Sequence, residues 1–243
     1  MNLTEIALSA SQAIALLAAF PFTWLLLVVV FLVLVEGLMF IPYVGFIAKI
    51  CIASLVAAQV LVLFAAASAG EPPQLGRLVE VFWLPLSAQV ALVACALLPF
   101  LAGLAYLLAQ GGVESIAFFF GNILDTRPPA PRLFFVFKSV MYVAALPFTF
   151  VAAAVTLQGL SGWDAVAQGV LAAAANWPAL LVLLAISFAF EWSSVKLALL
   201  SPRSIGVALA GIMLVAFLAW SFSFVYALSV RALPAAMQTQ GLS

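Results

Sequence analysis

Glu36 and Lys49 flank a Pro42-Tyr43-Val44-Gly45 bend in otherwise apolar sequence. Each lies about two turns from the bend, so two helices joined there carry them at similar depth. An ion pair between them lowers the cost of burying either one. The plain role of such a pair is to clamp the hairpin; the functional one is a proton or ion relay. Glu191 stands thirteen residues after Pro178, roughly 20 Å along a helix and past the middle of its apolar run. Ser187 and Ser194 share its face. Lys196 follows five residues later and points about 140° away. Lys138, in another apolar run near the same membrane side, is the candidate partner. Ionisable groups inside a membrane face the bundle interior or one another. Glu191 is therefore either an interhelical hydrogen-bonding group or a proton-coupled or substrate-facing carboxylate. Lys49, Lys138 and Lys196 all lie nearer the ends of their runs than the centre, where their long stems let the ammonium reach the interface.

Other chemistry is poorly represented. Histidine is absent, which removes His-based acid–base catalysis and His-ligated zinc or haem. Cys51 and Cys95 both sit in apolar runs, and two thiols alone make no metal site. No phosphate-cradling glycine loop and no Ser/Lys or Ser/His nucleophile pairing is visible. The loop 125–132 holds Asp125, Arg127 and Arg132, a thin charge set for binding a lipid head group. No enzyme activity and no cofactor are expected. Net charge is zero, and no basic surface with interleaved aromatics suggests nucleic acid.

The elements that must position these residues are helices in a bilayer. Of 243 residues, 68% are hydrophobic and 7% charged, with a mean hydropathy of +1.33. A soluble domain is about a quarter charged. The apolar runs do not alternate, which argues for helices against barrel strands. The expected fold is an all-α, polytopic transmembrane bundle, one integral domain over residues 1–243. Six spans are expected at about 22–41, 45–69, 85–109, 133–158, 178–200 and 205–230. Pro99 and Pro147 fall inside two of them and should disturb the helix. Gly70-Glu71-Pro72-Pro73, Arg127-Pro128-Pro129-Ala130-Pro131-Arg132 and Ser201-Pro202-Arg203-Ser204 mark further cuts.

Four shorter stretches, about 3–18, 75–84, 113–124 and 163–177, read as interfacial or edge helices. Each leads to a proline and then a span, at Pro21, Pro85, Pro131 and Pro178, and proline suits a helix's first turn. The recurrence points to internal repetition. Trp24, Trp83, Trp163, Trp177 and Tyr43 fall near span ends, as interfacial aromatics do. Phe118-Phe119-Phe120 reads as a headgroup anchor. Gly206 and Ala210 have the spacing of a close helix contact. The first long run follows no basic segment and reads as a retained span.

Three segments resemble the YciC-like family, an uncharacterised group of bacterial inner-membrane proteins. They are Phe40-Ile41-Pro42-Tyr43-Val44-Gly45, Gly70-Glu71-Pro72-Pro73-Gln74-Leu75-Gly76-Arg77-Leu78, and the stretch from Ala165 to Asn176-Trp177. In the last, Gly169 stands where the family has serine, and the family's basic residues are absent. The resemblance implies a six-span bundle with in-plane helices and cytoplasmic termini. Lys/Arg counts point the other way: Arg77 and Arg231 lie on the terminus side, against Lys49, Arg127, Arg132, Lys138, Lys196 and Arg203 opposite. Orientation stays open.

The leading expectation is a non-enzymatic scaffold, assembly or regulatory subunit of a bacterial inner membrane. Its partners would be the lipid bilayer and a membrane protein or a second copy. The alternative is a small transporter or channel for a lipid-like or weakly polar solute, with a cavity lined by Glu191, Gln59 or Gln89.

Overall fold

A computed structural model describes residues 1–121, 130–200 and 203–239. Among these the chain is helical, with no strand. The helices are α1 (Leu3–Ala19), α2 (Pro21–Gly37), α3 (Gly45–Ser68), α4 (Leu86–Phe120), α5 (Pro131–Ala145), α6 (Val151–Gln158), α7 (Gly162–Ala175), α8 (Trp177–Leu200) and α9 (Arg203–Thr239). Among the described residues, five stretches are long and apolar enough to cross a membrane: Pro21–Phe40, Gly45–Ser68, Leu86–Phe120, Arg132–Gln158 and Leu209–Leu233. A sixth arises only when α7 and Trp177–Ser193 count as one span, and these meet at 85°. The protein is thus a polytopic helical membrane bundle. The loop residues Asp125 to Pro129 and the Ser201-Pro202 cut lie outside the described residues.

Prolines start the helices where the sequence places them. Pro21 and Pro131 are the first residues of α2 and α5, Pro85 precedes α4, and Pro178 is second in α8. At those positions the missing N–H has no intrahelical acceptor to lose. Inside helices the two prolines behave differently. Pro99 is buried within a continuous α4. Pro147 sits in a 3-10 turn, Leu146–Phe148, which divides the expected fourth span into α5 and α6. Two short stretches also differ from expectation. Leu75–Trp83 is 3-10 rather than α-helical. The segment 113–120 continues α4 beyond a kink at Gly112, whose φ of 66° is a left-handed value that favours glycine.

Two cores form. The larger joins α1, α2, α3, α6, α7 and α9 around Trp24, Phe64, Phe150 and Phe224. Trp24 is therefore no interfacial anchor: it is 2% exposed, stacks on Phe64 at 3.9 Å, and its indole donates to the Leu16 carbonyl at 2.9 Å. Trp83, Trp163, Trp177 and Tyr43 do remain exposed. The smaller core is aromatic and lies between α4 and α5, around Phe100, Leu107, Phe119 and Phe137. Phe119 is buried there, so the Phe118–Phe120 run packs inward rather than anchoring to lipid.

Polar contacts tie distant helices. Ser223 of α9 donates to the Ala13 carbonyl at 3.0 Å, Ser68 and Tyr226 share a hydrogen bond of 2.8 Å, and Arg231 bonds Ser9. The α7–α8 break is closed by Asn176, whose Nδ2 donates to the Ala172 carbonyl at 2.8 Å.

Gly169 sets how closely α7 approaches α6. A Cβ there would stand 2.7 Å from the Val151 nitrogen and 2.8 Å from its Cα. Backbone cannot yield as a side chain does, so Gly169→Ser should cost about 1–3 kcal/mol by overpacking. Gly37→Ala, where a Cβ meets nothing within 4 Å, should leave stability unchanged or slightly raised. Thermal unfolding in mild detergent separates the two. Equal midpoints for wild type and Gly169→Ser would show that the helices part without cost.

Candidate functional site

The α2–α3 bend is tight. The Gly45 nitrogen donates to the Ile41 carbonyl at 2.9 Å and that of Val44 to Pro42 at 2.8 Å. Tyr43 holds a left-handed φ of 67°. A Cβ on Gly45 would collide with the Leu38 carbonyl. This geometry turns α3 back along α2 and sets Lys49 beside Glu36. The Lys49 ammonium lies 2.7 Å from each carboxylate oxygen. The pair is open on one side: the Glu36 side chain is 55% exposed and that of Lys49 22%.

A second pair joins α5 to α8. Lys138 Nζ lies 2.9 and 3.0 Å from the two Glu191 oxygens. Tyr142, one turn beyond Lys138 on the same face of α5, donates its hydroxyl to Glu191 Oε1 at 2.8 Å. Glu191 is the more enclosed carboxylate, at 16% side-chain exposure.

The Glu36–Lys49 pair and the Lys138 end of the second pair border one cavity of about 360 Å³. Glu36, Lys49, Lys138 and Tyr142 line it, with Phe46, Phe118, Phe134 and Phe137 among its other walls. The ammoniums also lie near aromatic rings, Lys49 at 5.6 Å from Phe46 and Lys138 at 5.3 Å from Phe134. Aromatic faces attract cations and repel anions, so the walls favour the cationic part of any guest. The site therefore offers two ammoniums, the Glu36 carboxylate and flat apolar surfaces, with Glu191 behind Lys138 and Tyr142. Among the described residues no three Cys, Asp or Glu side chains converge as a metal site.

Three of the five residues expected to matter line this cavity, and a fourth, Glu191, stands behind Lys138 and Tyr142. Glu36 pairs with Lys49 and Glu191 with Lys138, as their depths imply. Lys196 stands apart, its ammonium 5.1 Å from the Trp192 ring. Ser187 turns its hydroxyl to the Leu183 carbonyl. Gln59 and Gln89 do not line this cavity. Gln59 donates to Glu80 at 3.3 Å, and Gln89 caps the Leu75–Trp83 turn through the Phe82 and Leu84 carbonyls. Glu191 reaches the cavity through the Lys138 and Tyr142 side chains that hold it. Tyr142 is the residue that sequence reasoning missed. Its position four residues after Lys138 was the available signal.

A second cavity of about 380 Å³ lies beyond this one. It shares Met141 and Tyr142 with the first and is otherwise walled by residues such as Leu92, Pro99 and Val151. No protein-family model, curated protein or solved structure matches this chain.

The two pairs should differ in their response to neutralisation. Glu191→Gln removes the enclosed carboxylate, which takes bonds from both Lys138 and Tyr142, and should cost on the order of 3 kcal/mol. Glu36→Gln leaves an open site and should cost under about 1 kcal/mol. Replacing both Lys138 and Glu191 by methionine should recover most of the loss, because no charge is left unpaired. Detergent melting curves of the three variants check the order. Equal losses for Glu36→Gln and Glu191→Gln would contradict it.

Proposed function

We propose that this chain is a non-enzymatic, multi-pass protein of a bacterial inner membrane that binds and carries a lipid-like amphiphile. The resemblance to the YciC-like proteins supports the location. One observation carries the functional reading: two ion pairs share an aromatic cavity that adjoins an apolar one. The polar head of the solute sits between Glu36–Lys49 and Lys138–Glu191, and its apolar part turns towards the second cavity.

The charge arrangement selects the kind of head. A guest with only an anion would take the ammoniums and leave two carboxylates without partners. That is costly in a membrane. A zwitterion exchanges with the pairs, its anion meeting Lys49 and its cation meeting the freed Glu36 and the aromatic rings. The open Glu36–Lys49 pair is the one that exchanges at low cost. Lys138–Glu191, braced by Tyr142, is the fixed wall.

Native mass spectrometry of the protein released from mixed phosphatidylethanolamine and phosphatidylglycerol nanodiscs tests this. Wild type should retain the zwitterionic lipid. The double change Glu36→Gln with Lys49→Gln should weaken retention about tenfold, which corresponds to about 1.4 kcal/mol, with little change in melting temperature. Equal retention by both proteins would sink the proposal.

A second reading, a scaffold or assembly subunit, is favoured by a different surface. A groove of about 640 Å³ between α1–α2 and α9 is lined by apolar residues including Leu17, Val29, Gly211 and Val215. A Cβ on Gly211 would meet nothing within 4 Å, so that stretch of α9 has room for a helix of a membrane-protein partner or a second copy. Purification in mild detergent should then yield a stoichiometric partner or a defined homo-oligomer. A monomer throughout native membranes would remove this reading.

A further inference from the structure

Three cavities stand in series through shared wall residues: the first two border α5, and the third lies between α4 and α7. The first is the ion-pair cavity. The second, of about 380 Å³, shares Met141 and Tyr142 with it. The third, of about 560 Å³, shares Cys95 and Phe148 with the second and ends at Ser87 and Trp163. Ser87 belongs to the first turn of α4, and the ion-pair cavity touches α4 only at Phe118, beyond its kink. Phe119 packs on Phe100 at 5.9 Å, so the segment past the kink folds back and the ion-pair cavity lies level with the middle of α4; the series runs from there towards the first turn of α4. From Phe134 to Phe148 it follows fourteen residues, roughly 21 Å of helical rise, against a hydrocarbon core of about 30 Å.

The chemistry changes along the series. Charge is confined to the first cavity. In the second, the hydroxyls of Ser54 and Thr149 turn back to the Cys51 and Leu146 carbonyls of their own helices, each at 2.9 Å. The wall that remains is mostly apolar. The flank of the third cavity opens outward through Val90, Leu98 and Trp163, all more than half exposed. Tyr142 stands where the character changes, between the ion-pair cavity and the apolar one, its hydroxyl held by Glu191.

We infer that the second and third cavities hold one acyl chain of a zwitterionic phospholipid whose head group occupies the first. This rests on the head-group reading given above. Three features select the occupant. The head site presents Lys49, Lys138 and Glu36, with Glu191 balancing Lys138 from behind, so it carries both signs of charge, as a phosphate and an ammonium require. The walls beyond Tyr142 are apolar and contiguous with that site. The length suits a chain lying along the bilayer normal, entering sideways through the exposed flank of α4.

A phosphatidylethanolamine carrying a photoactivatable diazirine in mid-chain tests the route. The protein is reconstituted in phosphatidylethanolamine–phosphatidylglycerol vesicles, irradiated, and the adducts are mapped by peptide mass spectrometry. Adducts should concentrate on the walls of the second and third cavities, around Cys95, Ala145 and Phe148. In a Cys51→Ser background, benzylation of Cys95 after folding should reduce those adducts about tenfold, while head-group retention by native mass spectrometry persists. Adducts spread evenly over the outer faces of α2 and α8, with retention intact, would overturn the route and leave the head-group reading standing. A Cys95 thiol that stays unreactive towards the reagent would also overturn it, because both cavities reach that residue. Adducts that stay in the cavities at full yield when Glu36 and Lys49 are both changed to Gln would support the chain site and remove the head-group reading.

Discussion

A charge inside a bilayer must find its counter-charge within the protein, and the arrangement of this bundle follows from that constraint. Lipid tails are as apolar as leucine, so burying leucine against leucine gives helices little reason to associate. Close packing and polar links supply the preference instead. Lys138 and Glu191 fasten α5 to α8. Ser223 and Arg231 fasten α9 to α1, and Ser68 fastens α3 to Tyr226 of α9. The apolar surface left outside the core is the surface that lipid can solvate.

Backbone breaks obey the same constraint. Each interruption exposes N–H and C=O groups that lipid cannot satisfy. The α2–α3 bend closes on itself through the Val44 and Gly45 hydrogen bonds. The α7–α8 break closes through Asn176, and the turn before α4 closes through Gln89. Prolines at the starts of α2, α5 and α8 remove donors that would otherwise need partners. The short helices thus cost little where they meet the spans, which allows α7 to meet α8 at 85° without leaving its end groups bare.

Depth was legible in the sequence, and direction around the helix was not. Counting from the Pro42–Gly45 bend gives Glu36 and Lys49 similar depth, and counting from Pro178 brings Glu191 near Lys138. These are distances along helices, fixed by a constant rise per residue. Which face meets which neighbour normally shows as an apolar stripe. In this chain nearly every face is apolar, so the stripe carries little information. That is why Trp24, near a span end, proved to be core, and why Phe119 turned inward. It is also why the two ion pairs could each be proposed while their meeting at one cavity could not. Tyr142 was hidden for a related reason: only Glu191, on another helix, gives its hydroxyl a purpose. The division of α5 from α6 followed from Pro147, whereas Pro99 passed through α4 unbroken. Pro99 lies buried within α4 beside the buried Phe100, whereas Pro147 stands in a turn with no buried residue of its own.

The inequality between the two ion pairs is what makes the cavity more than a pair of clamps. A clamp works best when both partners are enclosed and held by further bonds, as Glu191 is by Lys138 and Tyr142. Glu36 has no such enclosure, with over half of its side chain exposed. A pair open on one side leaves room for a third group to reach its charges. In the proposed function it is the pair that exchanges partners. The braced pair keeps α5 and α8 in place during that exchange, and with them Phe134, Phe137 and Tyr142 on the cavity wall. Two pairs of equal enclosure would either both hold the bundle shut or both give way. One fixed and one exchangeable pair gives a site that can open without the helices moving apart.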